Sequence, residues 1–131
     1  MDRSEAIKRI RAALKKKTGK TWSVTGGRGT AWCWLNVSAP PKRRVWHETI
    51  GDPMEPGFLD KPWHERFIEV PATDDKRAYA YTSLAECREL AVAFGIPDRT
   101  YGLPDRIYGV HHQGHSIRPE DWEYWIEQAE S

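Results

Sequence analysis

Apolar residues recur near the start of the chain at Ala6, Ile7, Ile10, Ala13 and Leu14, the spacing that lays one apolar stripe along a helix covering residues 3 to 17. Asp2 followed by Glu5, or Ser4 alone, supplies the N-cap. Lys15 to Lys17 followed by Gly19 suits the C-terminal end, where cations meet the negative end of the helix dipole. From Trp22 to Ala39 the period falls to two, interrupted by Gly26-Gly27-Arg28-Gly29, which predicts a β-hairpin. With a four-residue turn at Gly26 to Gly29, Val24 opposes Ala31 and Trp22 opposes Cys33. Trp22, Val24, Ala31, Cys33, Leu35 and Val37 then share a core face. The opposite face carries Ser23, Thr25, Thr30, Trp32, Trp34 and Asn36, and its two tryptophans call for a cover, either a second layer of chain or a ligand.

Pro40-Pro41 ends the hairpin, since proline cannot donate to a ladder. Residues 45 to 78 scatter Trp46, Phe58, Trp63 and Phe67 among prolines and glycines, with only Arg66 to Val70 strand-like. This predicts an irregular excursion that packs back on the domain, with Trp32 and Trp34 as one place for it to land. Ser83 and Glu86 form a capping-box pattern ahead of Leu84, Cys87, Leu90, Ala91 and Phe94, a helix over 83 to 94 that ends before Gly95-Ile96-Pro97. Residues Ile107 to Ile117 read as extended. Pro119 opens a further helix with Trp122, Trp125, Ile126 and Ala129 on one face. The fold class expected is α+β, with an N-terminal helix, a hairpin and further short strands in a small antiparallel sheet packed by two or three helices. At 131 residues the chain is expected to form one domain over 1–131.

A formal net charge of +1 hides a strong asymmetry. Residues 1 to 44 hold twelve basic side chains against two acidic ones, a net of +10, and residues 45 to 131 hold eight against seventeen, a net of −9. A basic end of this kind meets phosphates or an acidic partner, unless the two ends neutralise each other within the fold or in a homo-oligomer. The apolar runs fall far short of the ~20 residues of a membrane span, which excludes a membrane as partner by that route. Two cysteines, Cys33 on the predicted core face and Cys87 on a helix stripe, read as buried free thiols of a cytoplasmic protein.

Three motifs bear on chemistry. Gly19-Lys20-Thr21 resembles the end of a phosphate-binding loop, but Leu14 stands where that motif needs its first glycine. Gly27-Arg28-Gly29 fails the dinucleotide fingerprint, because Trp32 occupies the third glycine's place and a strand follows. No cofactor is therefore implied. The segment Val110 to Ser116 is denser: on an extended chain His111, Gln113 and His115 point one way and His112 the other. Such histidines serve as paired acid and base in phosphodiester chemistry, or as metal ligands completed by His47, His64 or a carboxylate, or simply order a loop through hydrogen bonds.

Two stretches, KTGKTWSVTGGRGTAWCWLNVSAPP from Lys17 to Pro41 and VHHQGHSI from Val110 to Ile117, resemble a small uncharacterised domain of bacteria and their mobile elements. The helix-then-hairpin opening is also distantly similar to one of the large polyvalent protein-associated domains of phages and conjugative elements. The resemblance implies an α+β fold and traffic with mobile DNA or host defence, and it carries no catalytic residues.

The function expected is non-enzymatic binding of nucleic acid or a nucleotide. The ligand-binding residues are Arg28, Trp32, Trp34, Lys42, Arg43 and Arg44, joined by His111 and Gln113, because basic residues draw phosphates and flat aromatics stack on bases. The rival expectations are a small hydrolase or phosphodiesterase using His111, His112 and His115, and a protein–protein inhibitor or adaptor whose bipolar charge docks a host enzyme.

Overall fold

The computed structural model describes residues 1–94 and 114–131, without the side chains of Ala31 and Trp63. Helix α1 spans Arg3–Thr18 and begins where expected: the Asp2 carboxylate accepts from the Glu5 backbone N–H at 2.8 Å. It ends at Gly19, whose φ of 76° lets its N–H turn back to the Lys15 carbonyl. Its stripe, Ala6, Ile10, Ala13 and Leu14, is buried.

Strands β1 (Ser23–Gly26) and β2 (Leu35–Ser38) are antiparallel, and β5 (His115–Ile117) adds to the far side of β2 in the order β1-β2-β5. The hairpin does not take the register expected of it. Val24 pairs with Val37, where the sequence pattern put Ala31, and Gly26 pairs with Leu35. The shift from 31 to 37 is six residues. Because it is even, Leu35 and Val37 stay on the core face beside Val24 and Trp22, while Ala31 and Cys33 leave the strand. Cys33 is exposed, contrary to the buried thiol expected, and Cys87 is buried. The physical reason lies in side-chain size: the longer pairing buries Leu35 and Val37 against β1, where the tighter one would have used Ala31 and Cys33. Residues 27–34 become a wide loop holding one 3-10 turn at Gly29–Ala31, closed by Gly27 N–H donating to the Trp34 carbonyl at 2.7 Å.

The 45–78 stretch is more regular than its sequence pattern predicts. Strand β3 (Val45–Thr49) pairs antiparallel with β4 (Phe67–Pro71), forming a second, two-stranded sheet, with the short helix α2 (Trp63–Arg66) leading into β4. Tyr81 bridges to Val45 and stacks its ring on Trp46 and His47. This stretch does not roof Trp32 and Trp34, both of which remain exposed.

Helix α3 (Leu84–Phe94) is capped by Ser83, whose Oγ accepts from Glu86 N–H. The Glu86 carboxylate turns to Arg43 and Lys20. Helix α4 (Trp122–Glu130) follows a turn opened by Pro119 and buries Trp122, Trp125, Ile126 and Ala129 as expected. The core forms where α1, α3 and α4 close over the inner face of the three-stranded sheet, with Trp22, Val24, Leu35, Val37 and Ile117 beneath Phe94, Leu90 and Trp125. The architecture is α+β, and among the described residues no helix is long and apolar enough to cross a membrane. Of the extended chain expected from Ile107 to Ile117, His115–Ile117 forms β5, and residues 107–113 lie outside the described residues.

The charge asymmetry is partly resolved inside the fold. Arg9 of α1 meets Glu130 of α4 at 3.3 Å, Lys20 meets Glu89 at 2.6 Å, and Arg43 meets Glu86 at 2.8 Å. Two further basic side chains bond to backbone: Lys17 donates to the Gln128 carbonyl and Arg11 to that of Val24.

Candidate functional site

Alternation fixes what the outer face of the three-stranded sheet presents. With Val24, Leu35, Val37 and Ile117 turned inward, Thr25, Asn36 and Ser116 form a row across the three strands on the outside. The row is exposed, and the Ser116 hydroxyl donates to Asn36 Oδ1 at 3.1 Å. Trp34 and Arg118 extend the same face by one step beyond the paired Leu35 and Ile117.

Both loop tryptophans are open, Trp32 at 59% exposure and Trp34 at 39%. Each has a guanidinium against its ring: Arg3 lies 3.8 Å from the Trp32 centroid, and Arg118 lies 5.9 Å from that of Trp34. Arg3 also donates to the carbonyls of Trp32 at 3.0 Å and Gly27 at 3.4 Å, which ties the first turn of α1 to the loop. Gly26 makes room for this clamp, since a Cβ there would fall on the Arg3 guanidinium. Arg28 stands exposed at the tip of the same loop.

At the other end of β2 lies a groove of about 510 Å³ lined by Thr25, Asn36, Ser38, Arg44, Tyr79 and Tyr81. Arg44 builds its wall, donating to the Ala39 carbonyl at 2.9 Å, the Ser38 hydroxyl at 3.1 Å and the Ala78 carbonyl at 3.3 Å. Burial pushes its guanidinium below the ordinary arginine value. A smaller hollow of about 230 Å³ beside Gly114, His115 and Ser116 shares Asn36 with the groove. Gly114 allows β5 to reach its partner: its φ is 106°, and a Cβ there would overlap the Val37 carbonyl oxygen.

The expected site residues therefore separate. Arg28, Trp32, Trp34 and Arg44 belong to the loop and the outer face. Lys42 is exposed in the turn Pro41–Arg43, and Arg43 points away to Glu86, the Thr21 carbonyl and the Trp22 ring. His115 is half-buried on the inward side of β5, its ring 5.9 Å from that of Trp125. His111, His112 and Gln113 lie outside the described residues. His47 faces Glu69 and Tyr81, and His64 is exposed on α2. Among the described residues no three His, Cys, Asp or Glu side chains are grouped to hold a metal ion.

Sequence reasoning placed Thr25 and Asn36 on this face but missed Arg3, Arg118, Tyr79 and Ser116 as members of it. Arg3 and Arg118 arrive by tertiary contact and leave no local pattern. Ser116 carried a signal in its strand parity, which needed the pairing of β5 with β2 to be read. No protein-family model, curated protein or solved structure matches the chain.

Proposed function

We propose that this is a non-enzymatic binding protein that holds nucleic acid or a nucleotide on the loop 27–34 and the outer face of the three-stranded sheet. One observation carries the reading: Trp32 and Trp34 stand open to solvent on one loop, each beside a guanidinium. Large aromatics are ordinarily highly buried, and an open pair among arginines offers stacking platforms for bases beside partners for phosphates. Arg28 at the loop tip and Arg44 in the groove add cations to the same reading. The resemblance of residues 17–41 and 110–117 to a mobile-element domain is in keeping with a phage or conjugative-element setting and a cytoplasmic site of action.

Tryptophan and arginine are also the side chains that anchor protein interfaces, so an inhibitor or adaptor docking through the same loop is the second reading. Salt separates the two. Titrating tryptophan fluorescence with a single-stranded oligonucleotide should give quenching whose affinity falls with salt, with a log–log slope of about −0.7 per phosphate contacted. The double variant Trp32→Ala, Trp34→Ala should abolish the quenching-linked binding. Absence of quenching, or binding indifferent to salt, would remove the nucleic-acid reading.

A further inference from the structure

Resting on the reading of the tryptophan loop as a base-stacking site, we infer that the ligand is a single-stranded polynucleotide. It runs along β2 from Trp34 to the groove walled by Arg44, where Tyr79 stacks a second base. Trp34 immediately precedes β2 and Ser38 closes it four residues on, which sets them about 13 Å apart at ~3.3 Å per residue of extended chain. Tyr79, 77% exposed, lines the groove at the Ser38 end. A single base cannot stack at both ends of this strand, so filling both aromatic platforms needs at least two bases, which a nucleoside monophosphate cannot supply. At a rise of about 3.4 Å per stacked nucleotide the same span holds about four nucleotides.

The floor between the platforms suits this occupant. Thr25, Asn36, Ser38 and Ser116 present hydroxyl and amide groups that can meet base edges and sugars, and among the described residues none of the side chains lining the groove or the adjoining hollow is a carboxylate. A cation stands at each end, Arg118 beside Trp34 and Arg44 beside Ser38. Stacking on both platforms requires bases with free faces, so a paired duplex offers the site only its ends.

The test is fluorescence anisotropy of labelled oligothymidylates of two to ten nucleotides, with thymidine monophosphate and a ten-base-pair duplex as competitors. It is run on the wild-type protein and on Trp34→Ala, Tyr79→Ala and Tyr79→Phe. Affinity should climb with length until about four nucleotides are bound, and the monophosphate and duplex should compete weakly. Tyr79→Ala should weaken the longer oligonucleotides at least about fivefold, with Tyr79→Phe close to wild type. Equal affinity for the monophosphate and the oligonucleotides, still lost in Trp34→Ala, would overturn this inference and leave the stacking site standing. Indifference of the long oligonucleotides to Tyr79→Ala would do the same. If no single-stranded ligand binds wild type at all, the stacking site falls with it. Circular dichroism of each variant establishes that the exposed substitutions leave the fold intact.

Discussion

The inner and outer faces of the three-stranded sheet come from alternate residues of the same short strands, yet they have opposite fates. Inward, Val24, Leu35, Val37 and Ile117 are sealed beneath three helices, each burial contributing about 1.5–3 kcal/mol. Outward, Thr25, Asn36 and Ser116 stay wet, the groove beside Arg44 is open, and the loop beyond them leaves two indoles in water. An indole in a core holds a fold together. One left outside beside a guanidinium contributes little to stability and is free to meet a ligand. The lesson is that tryptophan content alone cannot separate structure from function here, and the face on which each tryptophan lies can.

The sharpest way to break the comparison is to exchange stability effects between the faces. Trp22→Ala should cost about 3–5 kcal/mol, because Trp22 is almost wholly buried and its Nε1–H donates to Thr18 Oγ1. Urea denaturation would read this as a large fall in midpoint. Next in size, Gly114→Ala should cost about 2 kcal/mol or more, since it adds left-handed strain to a clash with Val37 on the strand that joins the two faces. Loss of β5 pairing would appear as faster amide exchange at Leu35 and Val37, whose N–H groups face β5. By contrast, Trp32→Ala and Trp34→Ala should each change unfolding by no more than about 0.5 kcal/mol while removing ~1–3 kcal/mol of base stacking. A loss of stability comparable to that of Trp22→Ala would place these indoles with the core.

The smallest effect concerns the basic end. Hydrogen bonding to Glu89 holds the Lys20 ammonium above its ordinary value of 10.5, with the charges of Glu86 and Glu89 adding to the shift. A raised folded pKa means a contribution that is fully present below the ordinary value and lost as pH rises through the folded one. Screening at this exposed position limits the pair to about 0.2–1 kcal/mol. Lys20→Gln should therefore be slightly less stable than wild type at pH 8, and the difference should shrink as pH rises above the ordinary lysine value and through the raised folded one. A difference that persists at high pH would point to packing of the lysine stem.

The helical stripes of α1, α3 and α4 were legible because a period of 3.6 shows in one sequence without knowledge of partners. Strand parity was legible too, which is why Trp22, Val24, Leu35 and Val37 were correctly placed on the core face. Register was not, since pairings six residues apart keep the same parity and only side-chain size distinguishes them. That difference moved Cys33 out of the core and turned Trp32 into a loop residue. Strand β3 escaped notice because Val45, Trp46 and His47 are all half-buried, so no alternation marks it. Of the candidate surface, the tryptophans and Arg28 could be read from the chain. Their companions Arg3 and Arg118 could not, because contacts between distant segments bring them there.

The most direct test of the two-face account is the indole N–H spectrum of ¹⁵N-labelled protein, whose seven tryptophans can be assigned by single Trp→Phe variants and followed as a single-stranded oligonucleotide is added. The account predicts that the Trp32 and Trp34 signals move while those of the buried Trp22, Trp122 and Trp125 stay in place. Movement of the buried signals with Trp32 and Trp34 unmoved, or no movement at any concentration, would contradict it.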